Sequence, residues 1–212
     1  MKSAYLLPLA LLTVATPAVA QDFDGFRVEA RLGYDWNGLE ATYRDTIQTV
    51  QVDNQEDGLV FGAELGYDFQ VGPGFTLGVY AGADFSDADF CRQIAGVEQA
   101  CLEVRRNLYI GGRAGAQIGP STMIYGKAGY SNGQARINFD DQQNAVDDLV
   151  DEGSRDGWHF GLGVEQNFSP NFYGRLEFVH TIYSDMDWVN PDYAVTLDGN
   201  RSQVVGGIGL RF

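Results

Sequence analysis

The chain has 212 residues, a formal net charge of −15 and two cysteines. This length fits a single domain. No basic patch stands out in so acidic a chain, which is unfavourable for nucleic-acid binding, so we expect no nucleic-acid partner.

The first twenty residues have the pattern of a secretory signal peptide. Lys2 gives a basic start, an apolar segment runs from Ala4 to Val14, and Ala18-Val19-Ala20 forms a small-x-small cleavage site. The apolar run is too short for a membrane helix. We therefore predict a signal peptide at 1–20 and one mature domain at 21–212. No later apolar run is long enough for a membrane helix, so any membrane insertion must use strands.

Eight stretches of the mature chain alternate apolar and polar residues with the period of two that is typical of β-strands. Each is close to the ~9–11 residues that a tilted strand needs to cross a bilayer. They predict an all-β fold, an eight-stranded antiparallel up-and-down transmembrane β-barrel. The predicted strands are 25–37, 58–69, 75–85, 103–118, 123–131, 157–168, 172–183 and 201–212.

The connections between these strands alternate in length. Three tight turns contain Pro73, Pro120 and Pro170. The other connections are long, at 38–57, 86–102, 132–156 and 184–200. This alternation predicts short periplasmic turns and four long extracellular loops.

Alternation is also found in a soluble barrel such as a lipocalin, whose apolar residues point inward. Three features favour the opposite orientation: a polar face rich in glycine, aromatic residues at both strand ends, and a polar face on which acids and bases balance. Charges enclosed in a narrow lumen must be paired. We therefore predict lipid outside and an ion-pair network inside. The whole polar face carries eight acids and eight bases, and the predicted network takes these members of it: Arg27, Glu29, Arg31, Glu64, Asp84, Arg105, Arg113, Lys127, Glu165, Arg175, Glu177 and Arg211.

The last predicted strand places Val204, Ile208, Leu210 and Phe212 on one face. An open edge strand ending in Phe would invite aggregation of a soluble protein, whereas a strand that closes a barrel in lipid has no open edge.

Three segments carry a family resemblance: 204–212, 124–130 (IYGKAGY) and 174–178 (GRLEF). With them, the mature chain resembles the eight-stranded opacity-protein and outer-membrane-protein-A-like barrels of Gram-negative bacteria. The resemblance implies location in the bacterial outer membrane and a terminal assembly signal, formed by Val204, Ile208, Leu210 and Phe212, for the barrel-assembly machinery. We expect no periplasmic domain after the barrel, in contrast to outer-membrane protein A itself, so the resemblance does not imply peptidoglycan anchoring.

The two cysteines, Cys91 and Cys101, lie close together in one predicted loop. After a signal peptide, an oxidising compartment favours a disulfide between them. Metal binding by two thiols with no nearby His is the weaker alternative.

The expected function is a structural, envelope-integrity or adhesin-like role through acidic extracellular loops. Expected partners are outer-membrane lipids and lipopolysaccharide, the barrel-assembly machinery, and a host or surface ligand bound by the loops. A narrow, low-conductance porin is the first alternative, although side chains fill the interior of eight strands. We expect no cofactor and no specific metal site, because the acidic third loop lacks regular calcium-ligand spacing.

A lipid A-modifying enzyme is the second alternative, with His180 near Ser184 and Asp185. His180 and Ser184 are four residues apart on one strand, roughly 13 Å at strand rise, so they cannot form a dyad. We therefore predict no catalytic residues.

Overall fold

The computed structural model describes the backbone of residues 23–45, 49–86, 89–94, 98–140, 150–184, 186–189 and 193–212. Side chains are described for residues 23–38, 57–86, 106–134, 154–184, 196 and 198–212. The predicted signal peptide at 1–20 lies outside the described residues.

All regular structure in the described residues is β-strand. The strands are β1 (Gly25–Asp45), β2 (Thr49–Gly72), β3 (Phe75–Ser86), β4 (Asp89–Ile94), β5 (Glu98–Gln117), β6 (Thr122–Asp140), β7 (Val150–Ser169), β8 (Phe172–Tyr183), β9 (Met186–Val189) and β10 (Tyr193–Arg211).

The barrel closes because β1 pairs with both β2 and β10. Its wall contains eight strands in the order β1-β2-β3-β5-β6-β7-β8-β10, and every pairing is antiparallel. At the last strand, the Phe26 and Phe212 backbones exchange hydrogen bonds of 3.1 and 2.8 Å. The predicted eight-stranded barrel is confirmed.

The polarity of the wall is that of a membrane barrel. Leu32 and Ile208 are 63% and 60% exposed on the outside, whereas Glu64 and Arg113 are only 1% and 4% exposed in the lumen. Side chains alternate in direction along a strand, so each strand has one apolar and one polar face. This places the apolar residues outward and the polar residues inward. The described residues include no helix long and apolar enough to cross a membrane.

The periplasmic turns fall where proline predicts them. Between β2 and β3 the chain reverses through Pro73 and Gly74, and Gly74 has a φ of 79°, which glycine adopts without strain. The other two turns occupy 118–121 and 170–171 and contain Pro120 and Pro170. Proline suits these positions because its amide has no hydrogen to donate to a ladder.

The extracellular side differs from the prediction of four loops, because most of those residues continue the strands. β1 and β2 remain paired as far as Arg44 and Thr49, while β5 and β6 remain paired as far as Gln99 and Asp140. Pairing in solution leaves both faces of a strand hydrated, so these segments lack the alternation on which the strand prediction rests.

Two strands stop early and divide the projecting part in two. β3 ends at Ser86 and β8 at Tyr183. Beyond these points β2, β1, β10 and β9 form one sheet, which we call the first outer sheet. The strands β4, β5, β6 and β7 form the second outer sheet.

The two cysteines lie on neighbouring strands of the second outer sheet, in β4 and β5. Their α-carbons are register partners in the ladder. Directly opposed residues of an antiparallel pair have α-carbons about 4.5–5.5 Å apart, within the range that a disulfide spans. The cysteine side chains are outside the described set, so the disulfide remains a prediction that this register favours.

Candidate functional site

The lumen is filled by one connected network of ion pairs. Among the described side chains, six cations and six carboxylates take part, so these charges balance. All of these residues are buried. The cations are Arg27, Arg31, Arg113, Lys127, Arg175 and Arg211, and the carboxylates are Glu29, Glu64, Asp68, Asp84, Glu165 and Glu177.

Glu64 of β2 is the centre of this network. Its carboxylate oxygens lie 3.1 Å from Arg27, 3.4 Å from Arg31, 3.2 Å from Lys127 and 2.9 Å from Arg175. These four cations come from β1, β6 and β8, so a single side chain ties three other strands together. A charge this deeply buried is tolerated only with such compensation.

The periplasmic half of the lumen is closed by two acids between two arginines. Arg113 lies 2.5 Å from Asp68 and 2.7 Å from Glu165, and Arg211 contacts the same two carboxylates at 3.2 and 2.6 Å. Below them, the fully buried Phe23 ring lies 5.3 Å from the Arg211 guanidinium carbon. The residue that precedes β1 therefore covers the periplasmic mouth.

The outer half of the lumen contains neutral polar groups. The His159 ring is held by Tyr80 Oη at 2.6 Å on Nε2 and by Ser131 Oγ at 2.9 Å on Nδ1. Tyr109 contacts Arg31 in the same layer. A cavity of only about 10 Å³ adjoins His159, Ser131, Tyr109 and Gln203. Further out, Arg201 donates to Asp35 through Nε at 2.8 Å.

Inward-facing glycines provide the room for these side chains. A β-carbon added at Gly111 would overlap the Tyr80 ring, and one added at Gly163 would lie 2.5 Å from the Tyr125 hydroxyl. At Gly207 it would overlap the Glu29 carboxylate. The inward-facing glycines thus leave space, which we call glycine seats, for long side chains from neighbouring strands.

The structure places every predicted network residue except Arg105 in the lumen. The Arg105 side chain is outside the described set, and Arg105 lies at a register irregularity between Val104 and Arg106. The lumen also contains three further charged residues that the sequence places on the same polar face, Asp35, Asp68 and Arg201. Val204, Ile208, Leu210 and Phe212 all face outward on β10.

Sequence reasoning gave no role to the inward tyrosines or to Phe23. Tyr125 donates to Glu177 at 2.8 Å, and the Arg211 guanidinium lies 5.2 Å from the Tyr173 ring. A tyrosine on the polar face, with a glycine on the same face of the next strand, was the available signal. No pattern in the sequence pointed to Phe23, because it precedes the first strand.

Aromatic girdles surround the outer wall at both ends. Tyr130 and Trp158 lie 6.0 Å apart at the outer end, and Phe168 and Phe172 lie 5.7 Å apart at the periplasmic end. Above the outer girdle, the Asn132 amide donates to Asp156 at 2.7 Å, which holds the pKa of that carboxyl below its usual value.

One polar pair lies on the outer wall at the level of the outer girdle. His180 of β8 and Ser202 of β10 are register partners, and His180 Nδ1 lies 2.9 Å from Ser202 Oγ. Ser202 is also the register partner of Trp36. The sequence drew attention to His180, and Ser184 was considered as its partner and rejected on distance. The serine that contacts His180 lies on the neighbouring strand instead.

Residues 5–212 match the family model described as an outer membrane protein beta-barrel domain. The chain belongs to this family of outer-membrane β-barrels. Its location in the outer membrane follows from that membership and agrees with the inverted polarity of the wall.

Individual proteins are similar to this chain in sequence or in fold. The 25 kDa outer-membrane immunogenic protein of Brucella abortus is 28% identical over 184 residues, covering 85% of this chain and 75% of the relative. The crystal structure of Neisserial surface protein A superposes with a TM-score of 0.50 at 13% identity, covering 89% and 97% of the two chains. Ail of Yersinia pestis, the attachment invasion locus protein, gives a TM-score of 0.44 at 14% identity, covering 90% and 100%.

Proposed function

We propose that this outer-membrane barrel is a non-enzymatic scaffold that displays its two outer sheets for contact with other surfaces. The observation that carries the proposal is the filled lumen. All six cations and six carboxylates of the network are buried, and each described charged side chain in the lumen contacts one of opposite sign. A lumen packed in this way supports a structural role over a porin.

The charge of the outer sheets supports a partner with a basic surface. The first outer sheet, taken as residues 38–57, 186–189 and 193–200 of its strands, has seven acidic residues and Arg44 as its one base. The second, taken as 89–94, 98–106, 132–140 and 150–156, has seven acidic residues and five arginines. The first outer sheet therefore presents the stronger negative field, and such fields steer oppositely charged partners.

The name of the Brucella relative, an outer-membrane immunogenic protein, is consistent with surface display. A surface role requires residues above the membrane, and β1 and β2 extend well beyond the outer girdle. The structural similarity to Neisserial surface protein A concerns the fold. At 13% identity it carries no argument about function.

The experiment separates display from transport. Purified protein in a planar bilayer is expected to give no discrete current steps. Cells expressing the protein are expected to bind a basic test protein in a salt-dependent manner. Replacing residues 39–56 with a short turn should abolish most of this binding, while the matched replacement of 90–101 in the second outer sheet should have less effect. Steady single-channel currents, or equal loss of binding from both replacements, would contradict the proposal.

A further inference from the structure

The His180–Ser202 pair is the polar end of an otherwise apolar surface. From this pair toward the periplasm, every described outward-facing residue of β8 and β10 is apolar or glycine. Ser202 pairs with Trp36, an aromatic residue near the outer end of the membrane-crossing part of β1, so the pair lies at the depth where the polar part of an outer-leaflet lipid meets its acyl chains.

The pair has hydrogen-bonding capacity that the described part of the protein does not use. Nδ1 of His180 is occupied by Ser202 Oγ at 2.9 Å, which fixes the ring. Among the described residues, Nε2 has no hydrogen-bond partner. A polar group facing hydrocarbon without a partner is costly, so an acceptor or hydroxyl from the lipid is the natural complement.

A groove leads away from His180 across the outer wall. Its floor consists of small residues, Gly112, Ala114, Gly126 and Ala128, and its sides include Phe160 and Leu77. In register, His180 pairs with Phe160, Phe160 with Ala128, Ala128 with Gly112 and Gly112 with Val79.

This row of residues descends through the bilayer. His180 is eight positions from the periplasmic start of β8 at Phe172, whereas Val79 is only four positions from the start of β3 at Phe75. At strand rise and a tilt of about 40°, their heights above the turns are roughly 20 Å and 10 Å. The groove therefore starts at the outer interface and runs obliquely toward the membrane interior.

We propose that the His180–Ser202 pair and this groove bind one outer-leaflet lipid, the lipid A part of lipopolysaccharide. An acyl carbonyl or hydroxyl of the lipid accepts from or donates to the His180–Ser202 pair. One acyl chain lies along the small-residue floor. The polar end, the apolar body and the outward-to-inward direction match an amphiphile anchored in the outer leaflet. Lipid A fits this depth because its hydroxyacyl chains carry a hydroxyl beside a carbonyl.

The geometry favours binding over catalysis. A Ser–His nucleophile needs a third group that orients the ring and donors for a developing oxyanion. Among the described residues, no carboxylate contacts His180, and the adjacent backbone amides belong to paired strands.

The test compares His180→Phe, Ser202→Ala and the double variant in bilayers of phosphatidylcholine with and without lipid A. Phe61→Leu, on a distant part of the wall, is the control. Each single variant should retain about 5-fold less lipid A after purification, the effect of losing one hydrogen bond. The double variant should lose little more, because the two side chains act as a unit.

Stability gives an independent readout. Removing polar atoms from a lipid-facing wall should leave the double variant as stable as wild type, or more so, in phosphatidylcholine alone. With lipid A present, wild type should gain stability that the double variant does not. Equal gains with lipid A would overturn the proposal, and so would equal retention of phosphatidylethanolamine and lipid A by wild type. Release of free fatty acid by wild type but not by Ser202→Ala would also overturn it, because the pair would then be catalytic.

Discussion

Glu64→Gln tests whether the lumen network depends on its neutrality. The substitution keeps the shape of the side chain but leaves six cations facing five carboxylates. Breaking a buried ion pair from one side costs about 3–5 kcal/mol. Here each affected cation keeps another acid: Asp68 for Arg27, Asp84 for Arg31, Glu177 for Lys127 and Glu29 for Arg175. We therefore expect a loss of unfolding free energy near the lower limit, about 3 kcal/mol.

A second substitution makes the interpretation specific. Lys127→Met in the Glu64→Gln background restores five cations and five carboxylates and keeps an unbranched stem of similar volume. Replacement of a complete buried ion pair by apolar groups is often close to neutral. The double variant should therefore lie within about 1 kcal/mol of wild type, although Lys127→Met alone should also be destabilising.

The measurement is reversible urea unfolding in phospholipid vesicles, followed by tryptophan fluorescence. Asp57→Asn, an exposed carboxylate on the same strand, is the matched control and should change the free energy of unfolding by less than about 0.5 kcal/mol. The reasoning fails if Glu64→Gln costs no more than this control. It also fails if the double variant is no more stable than the sum of the two single effects predicts.

Two further predictions address the glycine seats and the predicted disulfide between β4 and β5. Gly111→Ala should cost about 1–3 kcal/mol, because its methyl group would overlap the Tyr80 ring and the Ala128 carbonyl, while adjacent Gly112→Ala, whose nearest neighbour is 3.7 Å away, should be neutral in the same unfolding assay. Equal costs at the two positions would show that the seat for Tyr80 does not limit stability. Protein purified from outer membranes should show no thiol that reacts with a maleimide until it is reduced, and Cys91→Ser should expose one reactive thiol at Cys101. Reaction of two thiols in the unreduced wild type would rule out the disulfide.

The membrane-crossing part of the fold was predictable because each strand there has one face toward lipid and the other toward the polar lumen. Leu65 faces lipid and Glu64 faces the lumen, so consecutive residues differ sharply and the period of two is visible. The balance of acids and bases on the polar face was also predictable, because the charges could be counted in the sequence without knowing which residues pair.

The outer sheets and the pairings were not predictable on those grounds. Glu40, Ala41 and Thr42 lie in β1 above the membrane, where no contrast between lipid and lumen imposes alternation on the sequence. Arg31 contacts Glu177, which is 146 positions away, because β10 pairs with both β1 and β8 and its registers bring their inward side chains to one level. Sequence spacing contains no record of those registers. The same limit applies to Ser202, which meets His180 only through the register of β10 with β8.

The position of Arg201 and Arg211 on β10 links barrel closure to dehydration of the interior. Their acidic partners are Asp35 on β1, Asp68 on β2 and Glu165 on β7. In a folding intermediate whose final strand has not docked, the described lumen side chains would comprise seven carboxylates and five cations, and water would have to remain around the surplus charge. Pairing of β10 with β1 therefore adds Arg201 and Arg211, the two missing counterions, and removes the remaining water in the same step. We therefore expect closure of this barrel to be cooperative, with no stable partly closed state.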